Sequence, residues 1–212
     1  MRLNFKLTDS SDAIYKQILM ALLGPATDYM KDATTHIKIH LPSIINNAIM
    51  NSPEYSSLTS GSLRLELGIP DATNKISGLL NIWINNIQYT YNPPAIHNNK
   101  IISTFSAEMI KINFDDVIYS DFAIVRDAKG YTIPWLEWLL TEGNRVLVPS
   151  YDVIFGPNTR SRTGNAVMKK TKQNSWKVPA EFSGTISDNW ITRAIDAAED
   201  DIQNMLNEAL KV

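Results

Sequence analysis

The stretch Lys75-Ile-Ser-Gly-Leu-Leu-Asn-Ile-Trp-Ile-Asn-Asn-Ile-Gln-Tyr-Thr-Tyr91 is where the chain changes period. Ile76, Leu79, Leu80, Trp83, Ile84 and Ile87 follow at steps of three, one, three, one and three, the spacing of a helix with one buried face. From Ile87 to Tyr91 the pattern becomes that of a strand.

Working back toward the N-terminus, helical signals dominate. Asp9-Ser-Ser-Asp12 offers short acceptor side chains before Ile14, Ile18, Ala21 and Leu22, and Gly24-Pro25 is expected to end that first helix. Pro25 then opens a second helix, in which Tyr29, Ala33, Ile37, Leu41, Ile45 and Ile49 recur every four residues. Pro42 is expected to kink this helix or split it in two. Ser52-Pro53 starts a further short helix. Ser60-Gly61-Ser62 caps Leu63–Leu67 ahead of Gly68, and Pro70-Asp71 opens the helix quoted above.

Working forward, strands take over. Asn92-Pro93-Pro94 to Asn99 reads as a loop, Ile101–Phe114 as a strand, and Asp115–Asp127 as either a strand or an excursion. Pro134–Leu140 is a short helix, and Asn144–Phe155 a strand with Pro149 at a bulge or edge. Gly156–Asn165 is a polar loop. Ala166–Lys170 and Trp176–Val178 are expected as short strands around the Lys172–Ser175 turn. Ser187-Asp188 caps one long final helix, whose apolar positions run from Trp190 to Ala209. Helices, then strands, then a helix indicate α+β. The expected architecture is N-terminal helices and a long C-terminal helix packed on a small antiparallel sheet. One domain, 1–212, divides into a mainly helical half (1–90), a β-rich half (91–185) and a C-terminal helix (186–212).

Composition narrows the function classes. With 212 residues and 44% hydrophobic residues the chain can bury a core without a metal or disulfide. It has no cysteine, which excludes a thiolate metal site, an iron–sulfur cluster and a Cys nucleophile. The start, Met1–Asp9, lacks an apolar h-region, and apolar runs are short, so neither a secretory signal nor a membrane span is expected. The 25 Ile and 19 Asn are both residues with AT-rich codons and fit an AT-rich genome. A net charge of −2 predicts no whole-chain attraction to nucleic acid.

That charge is a cancellation between segments. Arg160, Arg162, Lys169, Lys170, Lys172 and Lys177 place six cations in eighteen residues with no acid among them. The final helix carries Asp188, Asp196, Glu199, Asp200, Asp201 and Glu208 against Arg193 and Lys211, a balance of −4. The two segments either neutralise each other within a subunit or meet head-to-tail between copies, a contact that closes into a ring when the rotation allows. Arg160 and Arg162 offer planar forks for a neighbour's carboxylates. Trp135 and Trp138, in a helix apolar nearly all round, belong either to the core or to a subunit interface.

Catalytic patterns are weaker. His36 and His40 share a helix face, but the glutamate of H-E-x-x-H is missing and His97 is the remaining histidine, so no metal site is assigned. Asp115 and Asp116 could pair as carboxylates in a small hydrolase or nuclease, the alternative from a different class, with His97 as a further candidate. The 156–165 loop fails both the P-loop and the G-x-G-x-x-G patterns. No cofactor is expected.

Four segments carry a resemblance: Pro134-Trp-Leu-Glu-Trp-Leu-Leu140, Ser161-Arg-Thr-Gly-Asn-Ala-Val-Met168, Trp176-Lys-Val-Pro-Ala-Glu-Phe-Ser-Gly-Thr185 and Asn189-Trp-Ile-Thr-Arg-Ala-Ile195. In order and spacing they resemble virion structural proteins of tailed bacteriophages. The N-terminal helix followed by Ser52-Pro53 and Ser60-Gly-Ser-Leu63 resembles the start of tail-completion, or head–tail connector, proteins. The likeness implies a non-enzymatic virion component of the neck or tail, assembled in the host cytoplasm. Its implied partners are copies of itself in a ring, a hexamer or larger, and other neck or tail proteins, with DNA in the channel nearby and no membrane. The matched motif positions are Ser161, Arg162, Thr163 and Gly164 in the loop, and Trp176, Pro179 and Gly184 after it. Candidate interaction residues are therefore Arg160, Ser161, Arg162, Thr163, Gly164, Lys169, Lys170, Trp135, Trp138, Asp196 and Asp200. A nucleic-acid-binding module using the basic 160–177 hairpin is the other binding reading.

Overall fold

Helix α1 spans Ser11–Met50 without a break, through Gly24-Pro25 and through Pro42. The expected stop at Gly24-Pro25 and the expected split at Pro42 are both absent. A proline inside a helix costs about 3 kcal/mol. The buried face outweighs that cost: Leu19 precedes Pro25 and Ala33 follows it, while Leu41 and Ile45 flank Pro42, and all four are buried. The computed structural model describes residues 10–109, 114–127 and 129–211. The expected cap residue Asp9, and residues 110–113 of the expected 101–114 strand, lie outside them.

The chain is α+β, with seven helices and three two-stranded antiparallel pairs among the described residues. The single small sheet expected from the sequence is replaced by these separate pairs. The residues group into two compact units, Met1–Leu41 with Gln88–Glu108 and Gln203–Val212, and Pro42–Ile87 with Met109–Ile202.

The first unit is built on α1 up to Leu41 and a hairpin of β1 (Gln88–His97) and β2 (Lys100–Glu108). The sequence pattern predicts a loop from Asn92 onward, yet β1 continues through Pro93-Pro94 to His97. The register shifts between Asn92 and Ala95, so the two prolines sit in a bulge where no ladder N–H is needed. Asn92 stitches the bulge: its Nδ2 donates to Thr104 Oγ1 at 2.8 Å, and its carbonyl accepts from Ser103 Oγ at 2.8 Å. Asn98 and Asn99, both at positive φ (48° and 58°), make the tight turn that asparagine tolerates. Tyr15 Oη donates to the Asn99 carbonyl, and Lys38 Nζ lies 5.6 Å from the Tyr89 ring centre.

The second unit holds all five tryptophans and most of the core. Short helices α2 (Pro53–Thr59), α3 (Ser62–Leu67) and α4 (Ala72–Asn85) bury Leu58, Leu63, Leu67, Ile76, Leu79 and Trp83. Helix α5 (Trp135–Thr141) follows the small pair β3 (Val125–Arg126) and β4 (Thr132–Ile133). The segment Asp115–Asp127, open between strand and excursion by sequence, is mostly turns ahead of β3. Lys75 Nζ holds it by donating to the Asp121 and Ile124 carbonyls at 2.8 and 2.9 Å.

The expected 144–155 strand shortens to β5 (Tyr151–Phe155), which pairs with β6 (Ala166–Lys170). Pro149 and the positive φ of Ser150 (61°) interrupt it. The expected strand at Trp176–Val178 is only a bridge from Trp176 to Val148, so residues 160–177 are not a hairpin with their own turn at 172–175.

The final helix also differs from expectation. It divides into α6 (Trp190–Ala197) and α7 (Glu199–Leu210), with Ala198 in a turn between them. Glu199, Asp200 and Asp201 fill the first turn of α7, where carboxylates complement the exposed N–H groups of a helix start. The N-cap of α6 is Asn189, in place of the expected Ser187-Asp188. Its side chain accepts from the Ile191 and Thr192 N–H groups, and Thr192 Oγ1 accepts from the Asn189 N–H.

One contact joins three helices of this unit. Ser52 caps α2 by accepting from the Tyr55 N–H at 3.2 Å, and its Oγ also accepts from Trp190 Nε1 at 2.7 Å. Beside it, Arg193 donates through Nε and Nη2 to Glu54 Oε1 at 3.1 and 2.8 Å. Ser52→Ala should lower stability by about 2–4 kcal/mol, combining a lost cap with an orphaned buried indole N–H. Urea unfolding followed by tryptophan fluorescence checks this, and a change below about 1 kcal/mol would contradict the assignment.

Candidate functional site

The 156–165 loop joins β5 to β6 and is ordered by its own polar side chains. Asn158 Oδ1 accepts from the Arg160 N–H at 2.9 Å, and Ser161 Oγ accepts from the Thr163 and Ala166 N–H groups at 3.2 Å. Ser161 and Thr163 share a side-chain hydrogen bond at 3.1 Å. Gly164 closes the loop at φ +81°, the turn that its lack of a Cβ permits. These matched positions shape the loop, and Arg160 stands exposed on it.

Arg162 has a different part. Its Nε donates to the Gly68 carbonyl at 3.0 Å, pinning the loop to the end of α3. Gly68 sits at φ +63°, and a Cβ there would run into the Arg162 guanidinium. Burial pulls the Arg162 pKa down, while Asp127 works in the opposite direction. Arg162 thus anchors the loop through Nε, while the residue stays exposed on the same loop as Arg160.

The two tryptophans also separate. Trp135 is fully buried and its Nε1 donates to the Phe122 carbonyl at 3.0 Å, so it is core and not interface. Trp138 is half-buried and tilts against Trp176, with ring centres 5.9 Å apart. Together with Leu67, Val153, Met168 and Arg162, Trp138 lines a cleft of about 370 Å³. Glu66 lies in the same cleft and accepts from Trp176 Nε1 at 3.2 Å. Burial raises the Glu66 pKa, the indole N–H opposes this, and Glu181 and Asp152 add to the rise.

A second cleft of about 440 Å³ lies where the end of α1 meets α2, α6 and the start of α7. Ala48, Ala194 and Ala198 are among its lining residues, as are Glu54, Glu181 and Asp201. Sequence patterns place Ser52 at a helix start but give no sign of its bond to Trp190, nor of Glu54, Glu66 and Arg193 as organising residues. The Glu54–Arg193 pair is separated by 139 positions, and no local spacing announces it.

The charged surfaces can now be placed. Arg160, Lys169, Lys170 and Lys172 are exposed, as are Asp196, Glu199, Asp200 and Asp201. Among the described residues the ion pairs are Arg145–Glu142, Arg193–Glu54 and Arg193–Asp188. No direct pair therefore joins the basic segment to the acidic one within the subunit.

The enzymatic candidates gather no further chemistry. Asp115 is exposed, and both carboxylate oxygens of Asp116 are buried without a hydrogen-bond partner among the described residues. Neither residue lines either cleft. The His36 and His40 rings lie 4.3 Å apart, and no group of three or more candidate ligands occurs among the described residues. No helix there is long and apolar enough to cross a membrane. Comparison with family models, with curated proteins and with solved structures finds no match.

The raised Glu66 pKa has a definite sign. Its contribution to stability is fully present below the unfolded-state pKa and is lost as pH rises through the folded-state value. Glu66→Gln keeps an acceptor for Trp176 without the buried charge. Its stability relative to the wild type should therefore increase between about pH 4 and about pH 7.5, measured by denaturant midpoints. A difference independent of pH would refute the burial argument.

Proposed function

We propose that this chain is a structural component of a tailed-phage virion, a ring-forming neck or tail-completion protein that helps join head to tail. Its work is assembly and not catalysis. It binds copies of itself, in a hexamer or larger ring, and other neck or tail proteins. Its place is the virion, after assembly in the host cytoplasm.

The observation that carries this reading is the pair of exposed, oppositely charged surfaces that leave each other unpaired within the subunit. One copy's basic segment can meet the next copy's acidic helix, a head-to-tail contact that repeats until it closes. Complementary charge of this kind fixes register and speeds encounter. The likeness of the 134–140, 161–168, 176–185 and 189–195 segments to tailed-phage virion proteins supplies the setting. The exposed cations also favour a second reading, DNA bound by the basic segment that carries Lys169, Lys170 and Lys172.

Sedimentation velocity at micromolar concentration should show a discrete oligomer. Raising salt from about 0.1 M to about 1 M, which shortens the Debye length from about 10 Å to about 3 Å, should shift it toward monomer. A strict monomer that never joins phage particles contradicts the ring. Strongly salt-dependent binding to duplex DNA by a monomer would favour the second reading.

A further inference from the structure

We propose that the 440 Å³ cleft on the second unit is the receptor for Arg160 of a second copy of this chain. The proposal deepens the self-assembly reading and rests on it.

The cleft's chemistry selects a long cationic side chain. Its alanines offer an apolar surface for the methylene stem of such a residue. Its carboxylates are Glu54, Glu181 and Asp201, and its own cation is Arg193. Arg193 is already used, holding Glu54 through two nitrogens and Asp188 at 2.9 Å. Glu181 and Asp201 are exposed and without an ion pair among the described residues. The cleft thus has two carboxylates to spare beside an apolar surface.

The same unit carries the complementary group. Arg160 is exposed, makes no ion pair among the described residues, and stands on the loop that joins β5 to β6. Asn158 holds the Arg160 backbone and Ser161 holds the residues after it. A loop ordered before contact loses less conformational freedom on docking. A guanidinium also matches carboxylates in a planar, two-pronged geometry that lysine lacks. Arg160 is therefore preferred over Lys169 and Lys170 as the inserted residue, with the lysines adding long-range attraction.

Charge reversal tests this with the full-length protein. Arg160→Glu and Asp201→Arg each place like charges at the contact, so each alone should raise the concentration for half-assembly about ten-fold or more. Both positions are exposed, so circular dichroism should stay at the wild-type value for each. Arg160→Glu should also keep the thermal midpoint, while Asp201→Arg, which loses a carboxylate from the first turn of α7, should lower it by only a few degrees. Mixing the two variants creates alternating contacts, one native and one with both charges reversed, and should restore assembly. Restoration on mixing supports the proposal. Wild-type-like assembly by either single variant overturns the receptor while leaving the ring reading intact, as does loss of assembly that mixing fails to restore. A wild-type protein that stays monomeric at all concentrations overturns both.

Discussion

A single hydroxyl holds the second unit together. Ser52 Oγ donates to the Ile49 carbonyl at the end of α1 and accepts from the Tyr55 N–H at the start of α2. It also accepts from the Trp190 indole at the start of α6. One donor and two acceptor sites are thereby all in use, the full capacity of a serine side chain. Because Ser52 and Trp190 are buried, no water substitutes for any of these bonds without opening the core. Asn189 fixes the entry of α6 from the other side, and the Glu54–Arg193 pair fixes its angle to α2. Trp83 then packs edge-on against Trp190 at 6.0 Å.

This arrangement also shapes the second cleft. The helices that meet at Ser52 bring Ala48, Ala194 and Ala198 to one surface and leave Glu181 and Asp201 beside it. Small side chains at such a junction leave a depression that larger ones would fill. The first cleft is lined by other contacts. There Arg162 reaches back to the Gly68 carbonyl, Trp138 leans on Trp176, and Glu66 accepts from the Trp176 indole. Carboxylates without an ion pair among the described residues, Glu181 and Asp201, line the second, whereas Arg160, equally without one, lines the first.

Much of the local structure was legible in the sequence. The α4 stripe, the Ser52-Pro53 start, the Pro134 entry to α5 and the 156–165 loop all follow from spacing and from the conformational preferences of proline, glycine and serine. The failures share one cause. Pro25 and Pro42 should interrupt α1, and Pro93-Pro94 should end β1, yet packing along the helix and the Asn92 stitching of the bulge override both. The opposite error occurred at the C-terminus. A continuous apolar stripe concealed the break at Ala198, where three successive acids prefer the start of a new helix.

Among the interaction candidates, charge was readable and commitment was not. The sequence by itself determined the α+β order, the opposed basic and acidic segments and the absence of thiol chemistry, because these depend on composition and short-range spacing. Only the tertiary structure decided that Trp135 is core, that Arg162 anchors its loop to Gly68 through Nε, and that Arg160 and Asp201 make no ion pair among the described residues. The physical reason is that a side chain's partner across 94 or 139 positions is chosen by the packing of the elements that carry it, which no local pattern encodes.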